Sequence, residues 1–289
     1  MKKLLTSLTA VLAGSTLWAQ IYTVTSTSDA NTAGTLRHAI NEVNAGNNTD
    51  IHFNISGTAP FTIALNSALP QIANPVNIDG TTQSGYVSSP IITVDGQDAS
   101  IDGFVFLAGT SGSSIIGLEI TGMGYPDATS TAYYGVKDWD RATVQDNVIN
   151  NCKNGIYSDV GTKIYGNYIG LNISGSQAIP NKIGVVADAG AEIGKVGSAF
   201  RNVISGNDVM GVYAGMSTIK NNYIGVNASG SFAIPNEVGV GIYNSSVELG
   251  GHLAGEGNVI SGNTGDGVRV EMGRFIIIDG NYIGTNASG

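Results

Sequence analysis

The chain has 289 residues, with 13 Lys and Arg against 22 Asp and Glu, which gives a formal net charge of −9. An acidic chain repels phosphate, which argues against nucleic acids and anionic membrane surfaces as partners. Cys152 is the only cysteine in the sequence, which excludes an intrachain disulfide and a zinc site built from cysteines. Glycine is frequent, with 41 residues, and the composition is typical of many short strands joined by tight turns.

Residues 1–19 have the pattern of a secretory signal peptide. Lys2 and Lys3 precede a mostly apolar run that ends at Leu17, and Ala19 stands before the expected cleavage point. The run is shorter than the ~20 apolar residues that a membrane-spanning helix needs. We therefore expect Sec-dependent export from a Gram-negative-type bacterium to the cell surface or the medium, without a transmembrane segment.

The segment 35–44 predicts an amphipathic helix, because Leu36, Ala39, Ile40 and Val43 follow the i, i+3, i+4, i+7 pattern. We expect this helix to lie across the open end of the first turn and to cap it. Apolar and polar residues alternate in the segments that follow, 51–55 and 76–80. Residues 20–100 are therefore interpreted as the N-terminal cap and the first, irregular turns.

From residue 101 onward the chain consists of repeats with two markers. Each unit of 20–29 residues contains a Gly followed by an aliphatic residue and then an Asn-x-Ile triplet. A unit of this length with two or three short strands and no helix predicts one turn of a parallel β-helix. The glycine markers are Gly135, Gly155, Gly184, Gly211, Gly239 and Gly267, and the triplets begin at Asn147, Asn167, Asn202, Asn222, Asn258 and Asn281. The triplet isoleucines should form an inward column and the asparagines a hydrogen-bonded ladder at a bend.

The middle residue of the triplet alternates between Val and Tyr, which predicts a longer repeat of two turns and about 55 residues. Each Tyr-type turn carries a long loop, at 170–181 and again at 225–236. We expect these loops to emerge on one side, and insertions on one face of a solenoid often form its binding face. The loop begins once more at Gly284, so residues 101–289 are interpreted as an incomplete set of repeats in a monomeric solenoid.

Three segments resemble secreted right-handed parallel β-helix repeat proteins of bacteria, with a pectate-lyase-like fold: 35–40, 78–83 and 202–207. The resemblance implies an all-β, right-handed parallel β-helix with an N-terminal capping helix. The family includes polysaccharide lyases, glycoside hydrolases and adhesin-like surface proteins. Its lyases usually carry an acidic Ca²⁺ cluster with a nearby Arg or Lys base, and its pectin hydrolases a Gly-His-Gly motif. Neither pattern is present here.

Side chains alternate between the two faces of a strand, so counting from each glycine marker predicts which residues face outward and are candidates for a site. Positions +1 and +3 should face inward, whereas positions +2 and +4 should face outward. The outward positions hold aromatic side chains, and an aromatic stripe on a straight face suits an extended glycan. Stacked rings would also stabilise a sheet without binding anything. The glycan-binding candidates are Trp139, Tyr157, Tyr213 and Tyr243.

Asp159 and Asp188 occupy one outward column, one turn apart, so their Cβ atoms should lie about 5 Å apart. That spacing matches the carboxylate pair of a retaining glycosidase, and it would also suit a shared Ca²⁺. Two solvated acids that do not interact are the remaining interpretation. Asp138 breaks the inward parity, which indicates either a bulge or an ion pair with Arg141.

The sequence therefore favours an exported repeat protein that adheres to, or binds, an extracellular polysaccharide or a cell-surface glycan without catalysis and without a cofactor. The alternatives are a polysaccharide lyase or glycoside hydrolase that uses Asp159 and Asp188, with Ca²⁺ as its cofactor if it needs one, and a structural spacer for a C-terminal module.

Overall fold

The computed structural model describes residues 20–125, 132–243 and 246–286. The predicted signal peptide, 1–19, lies outside these residues. Within them, no helix is long and apolar enough to cross a membrane. In chain order the elements are β1 (Ile21–Val24), α1 (Leu36–Asn44), β2 (Asp50–Phe53), β3 (Phe61–Ala64), β4 (Asn77–Asp79), β5 (Ile92–Ala99), β6 (Phe104–Phe106), β7 (Ser114–Ile116), β8 (Glu119–Met123), β9 (Tyr134–Asp138), β10 (Thr143–Gln145), β11 (Val148–Ile149), β12 (Asn154–Val160), β13 (Lys163–Tyr165), β14 (Tyr168–Ile169), β15 (Ile183–Ile193), β16 (Val203–Ile204), β17 (Met210–Ile219), β18 (Tyr223–Ile224), β19 (Val238–Ile242), β20 (Val247–Gly250), β21 (Val259–Ile260), β22 (Val268–Val270), β23 (Ile277–Asp279) and β24 (Tyr282–Ile283). Short 3₁₀ turns occur at Gly80–Thr82 and Ser198–Phe200.

The strands form three parallel stacks, which confirms the predicted parallel β-solenoid. The first stack contains β6, β9, β12, β15, β17, β19 and β22. The second runs through β1, β2, β4, β7, β10 and β13 to the C-terminal parts of β15 and β17, and then to β20 and β23. The third contains β3, β5, β8, β11, β14, β16, β18, β21 and β24. Because β15 and β17 continue around a bend, they belong to both the first and the second stack.

Aliphatic columns from all three stacks fill the interior. The triplet isoleucines of the third stack are fully buried from Ile149 to Ile260, as the markers predict. The first stack contributes Val136, Ile156, Val185, Val212 and Val240, each with no exposed surface. In the last described turn the equivalent residues are Val268, which is partly exposed, and Ile283, which is 46% exposed, since no further described turn covers them.

Helix α1 begins and ends within a residue of the predicted segment. The Thr35 hydroxyl accepts a hydrogen bond from the backbone N–H of His38 and so caps the first turn of the helix. Leu36, Ala39, Ile40 and Val43 are buried in the common core, and the helix packs against β1 and β2. Since β1 pairs with β2 alone, the helix lies at the beginning of the second stack. Its role as a cap of the first turn stays a prediction.

The predicted asparagine ladder is present. Each ladder residue from Asn147 to Asn258 donates its side-chain N–H to the Oδ1 atom of the next one, at 2.8–3.2 Å. The same side chains also donate to backbone carbonyls of the second stack. The ladder thereby satisfies polar backbone groups at a bend that faces the apolar interior.

The glycine markers are required by close approach of successive turns. A Cβ atom added at Gly155 would lie 2.4 Å from the carbonyl oxygen of Gly184, which is closer than any real contact. The equivalent atom at Gly184 would lie 2.6 Å from the carbonyl oxygen of Gly211. The markers thus stack as a side-chain-free column at the corner between the third and first stacks.

The long loops explain the alternation of Val and Tyr. Tyr168 and Tyr223 pack on a second apolar cluster formed by Leu171, Val203 and Ile234, outside the main core. Each tyrosine ring lies against a glycine of its own loop, so a Cβ atom at Gly175 would lie 2.9 Å from the Tyr168 ring. The smaller Val of the intervening turn is buried between the two rings. A bond from the Ala228 N–H to the Gly175 carbonyl joins the two loops, so they emerge on one side as predicted.

Candidate functional site

The outer face of the first stack brings the four predicted aromatic residues into one surface. The rings of Trp139 and Tyr157 meet edge to face at 5.3 Å, and those of Tyr213 and Tyr243 stack at 4.1 Å and 20°. All four side chains are partly exposed, whereas the +1 and +3 residues of the same strands are buried. The parity prediction is therefore confirmed for these positions.

Asp188 lies between the two pairs of rings and connects them. Its Oδ2 atom accepts a hydrogen bond from the Tyr157 hydroxyl at 2.6 Å, and its Oδ1 atom accepts a short one from the Tyr243 hydroxyl. Tyr243 directly follows strand β19, two turns further on, and Gly215 occupies the intervening position of the column. Because Gly215 has no side chain, the Tyr243 phenol can reach the carboxylate.

The electrostatics of the patch keep its phenols protonated. Burial, and then the hydrogen bond to Asp188, raise the pKa of Tyr157 and of Tyr243 well above the ordinary value for tyrosine. Burial also raises the pKa of Tyr213, with smaller contributions from Glu271 and Asp188. Near neutral pH these hydroxyls are therefore hydrogen-bond donors rather than bases.

Asp159 is the neighbour of Asp188 in the column, because the flanking pairs Ser158–Ala187 and Val160–Ala189 fix the register. The two backbones are thus about 5 Å apart, as in a retaining pair of carboxylates. The two side chains differ in their surroundings, however. Both oxygens of Asp188 accept phenol hydrogen bonds, whereas Asp159 forms no hydrogen bond or ion pair within the described residues.

A Ca²⁺ ion takes six to eight oxygen ligands. In the part of the chain that the structure describes, no group of three or more His, Cys, Asp and Glu residues could hold a metal ion. A Ca²⁺ ion at Asp159 and Asp188 would accordingly need most of its ligands from water or from a bound sugar.

Tyr134 and Lys137 complete the surface, and the sequence analysis did not single out either of them. The ring of Tyr134 lies 5.2 Å from that of Tyr157, and the Lys137 ammonium lies 5.3 Å from the Tyr134 ring and 5.5 Å from the Trp139 ring. Lys137 also forms an ion pair with Asp102 at 3.6 Å. Strict alternation places Tyr134 inward, and its side chain is only 9% exposed, but its ring contacts Tyr157 and Lys137 of the outward face rather than the main core. We call the five rings Tyr134, Trp139, Tyr157, Tyr213 and Tyr243 the aromatic patch.

The structure contradicts both interpretations of Asp138, a bulge in the strand and an ion pair with Arg141. It is in register between Phe106 and Ser158, so there is no bulge, and Arg141 pairs with Asp140 instead. The Asp138 side chain points inward and is fully buried. Its oxygens accept the N–H groups of Asp140 and Ala142 and the Thr162 hydroxyl at 2.6–2.9 Å. Asp138 therefore satisfies the backbone at a bend and is not part of the outer surface.

The sequence matches no protein-family model and no curated protein. Three solved structures have similar folds. The Dettilon tailspike protein is 15% identical with a TM-score of 0.47, over 84% of this chain and 50% of the tailspike. The A-module of the mannuronan C-5 epimerase AlgE6 of Azotobacter vinelandii is 13% identical with a TM-score of 0.43, over 81% of this chain and 74% of that one. The protein ORF18 of Geobacillus virus E2 is 15% identical with a TM-score of 0.39, over 91% and 59%. This chain thus spans half the length of the tailspike, and the likeness concerns the fold alone.

Proposed function

We propose that this chain is an exported β-solenoid that binds an extracellular polysaccharide through the aromatic patch and performs no chemistry there. The observation that carries the proposal is the collection of five rings and two carboxylates on one outward face. Aromatic faces pack against the C–H faces of sugars, while carboxylates and phenols bind hydroxyl groups. The stacked strands hold all these groups on a rigid surface, so little conformational entropy is lost on binding.

The arrangement of Asp188 supports binding over catalysis. A nucleophilic carboxylate has to approach the reacting carbon, but both oxygens of Asp188 are engaged by phenols. Asp188 instead fixes the orientations of Tyr157 and Tyr243 relative to each other. Asp159, whose carboxylate makes no such bonds in the described residues, is the group that remains for a sugar hydroxyl.

Glycan-array screening of residues 20–289, followed by titration of the best glycan, tests the proposal. We expect replacement of Trp139, Tyr157 or Tyr213 by Ala to weaken binding by at least about tenfold, as loss of a central aromatic contact usually does. Phe232→Ala is the matched control, because Phe232 is an aromatic residue 72% exposed on a loop outside the patch. Unchanged affinity in the three patch variants, with folding retained, would refute the proposal.

A polysaccharide lyase or glycoside hydrolase is the second candidate, and the adjacency of Asp159 and Asp188 favours it. Their backbones lie one strand spacing apart in the same column, which is close to the separation of the carboxyl groups in a retaining mechanism. Assays for reducing ends and for unsaturated products, on neutral and acidic polysaccharides with and without Ca²⁺, test this function. Turnover that disappears in both Asp159→Asn and Asp188→Asn would establish it, and absence of turnover on every substrate would exclude it.

A further inference from the structure

A second surface lies outside the third stack, away from the aromatic patch. Its floor consists of the middle residues of the Asn-x-Ile triplets, which point outward in every turn. Over Tyr168 one wall is formed by the long loops of the Tyr-type turns, which contribute Ile173, Ser174 and Ala228. The other wall is formed by segments of the Val-type turns that precede Asn202 and Asn258. We call this channel the triplet groove.

The triplet groove contains two cavities of nearly equal size. The first, about 520 Å³, lies over Tyr168, and the second, about 510 Å³, lies over Tyr223 and Tyr282. Arg201 lines both cavities and separates them, with its guanidinium 4.2 Å from the Tyr223 ring. Ser198 lines the first cavity and Ala254 the second, from equivalent positions of the two Val-type turns.

The two cavities follow the two-turn repeat. Two stacked turns advance by about 10 Å, so Tyr168 and Tyr223 present the same chemistry at that interval along the axis. A ligand that matches this surface has to repeat as well. A linear polymer that lies parallel to the axis meets this condition, whereas a single small molecule would use only one cavity.

The lining indicates which polymer fits. Charges of both signs are present, with Asp146 in the first cavity, Arg201 between the two and Asp279 in the second, so neither anionic nor cationic chains are favoured. Within the described residues the hydroxyls of Tyr168 and Tyr282 form no hydrogen bonds, which leaves them available to a ligand. We propose that the triplet groove binds a neutral linear polysaccharide, with equivalent sugar units in its two cavities.

Length-dependent binding tests this proposal. The probes are neutral β-linked gluco-, xylo- and manno-oligosaccharides from dimer to octamer, titrated calorimetrically. We expect affinity to rise steeply once an oligomer spans both cavities, because the second contact becomes intramolecular. Ser198→Trp and Ala254→Trp, at exposed positions, should fill one cavity each and weaken octamer binding by about tenfold. Dimer binding should fall only about twofold, since one cavity stays open.

Gln177→Trp is the control, because it adds the same ring at an exposed loop position outside both cavities. Octamer affinity equal to wild type in both groove variants would overturn the proposal, and so would preferential binding of acidic oligosaccharides in the groove. Failure of the wild-type protein to bind any neutral oligomer would overturn it too. This proposal and the proposed function can fail separately. If Trp139→Ala loses binding while Ser198→Trp and Ala254→Trp keep it, the aromatic patch is supported and the groove is excluded.

Discussion

Replacement of Asn202 by Ala should be among the most destabilising single changes in the solenoid. Its buried side chain makes four hydrogen bonds. Nδ2 donates to the Ile164 carbonyl at 2.8 Å and to Asn222 Oδ1 at 2.9 Å, and Oδ1 accepts from the backbone and the side chain of Asn167, both at 3.0 Å. The partners left behind cannot reach water. At about 1 kcal/mol for each lost bond, we expect a loss of about 4 kcal/mol in the free energy of unfolding.

Asn281 provides a control within the same ladder. It also makes four hydrogen bonds, to Asn258 twice and to the carbonyls of Leu249 and Asp279. Asn281 is partly exposed, so water can replace the lost partners. Asn281→Ala should therefore cost only about 1 kcal/mol.

Urea unfolding followed by tyrosine and tryptophan fluorescence measures both variants. Hydrogen exchange adds a local readout, because the Asn167 N–H loses its acceptor in Asn202→Ala and should exchange faster. Equal losses for the two variants would show that burial does not set the cost of the ladder bonds, and the reasoning would then be wrong.

Three further predictions concern single side chains. Gly155→Ala places a Cβ atom 2.4 Å from a carbonyl oxygen and should cost about 3 kcal/mol in urea unfolding, whereas Gly267→Ala, whose nearest neighbour is a methyl group at 3.1 Å, should cost about 1 kcal/mol. Burial raises the folded-state pKa of Asp138 above its ordinary 3.8, so the ionised form is disfavoured in the fold. The free energy of unfolding should hence be larger below pH 3.8, fall as the pH rises through the raised pKa and then level off. This decrease with pH should be absent in Asp138→Asn, which has no carboxyl group to titrate. Tyr243→Phe removes one donor to Asp188 and should cost about 1 kcal/mol, with a reduced effect in the Asp188→Asn background when a double-mutant cycle is measured.

The regular parts of this fold could be predicted from the sequence because every turn obeys the same rule. The glycine column and the triplet isoleucines each recur at one position of the unit, so a marker in one turn fixes its partner in the next. Parity then gave the outward positions of Trp139, Tyr157 and Tyr213. These residues follow the corner glycine, where the strand is extended and side chains alternate.

A second asparagine ladder was missed. It consists of Asn181, Asn207, Asn236 and Asn263, and the backbone N–H of Cys152 donates to its first member. Asn181 and Asn236 end long loops, whereas Asn207 and Asn263 end short ones, so their spacing from the triplets differs. The signal in the sequence is an Asn three or four residues before the glycine marker.

The contact between Asp188 and Tyr243 could not be predicted because it skips a turn. Nearest-neighbour reasoning pairs Asp188 with Asp159 on one side and with Gly215 on the other. Only the absence of a side chain at Gly215 allows a group 55 residues away to reach the carboxylate. The outer surface of a solenoid is therefore determined by the small residues of a column as much as by its large ones.

The two surfaces depend on the repeat in opposite ways. The order of Tyr and Gly is reversed between neighbouring turns, Tyr213 and Gly215 in one and Gly241 and Tyr243 in the next. This reversal brings the two rings together diagonally and opens the space beside Asp188, so the aromatic patch exists because two turns differ. The triplet groove exists because the Tyr of the triplet recurs every second turn, so each of its two cavities has a tyrosine in its floor. A change in one turn should consequently abolish binding at the aromatic patch but remove only one of the two cavities of the groove.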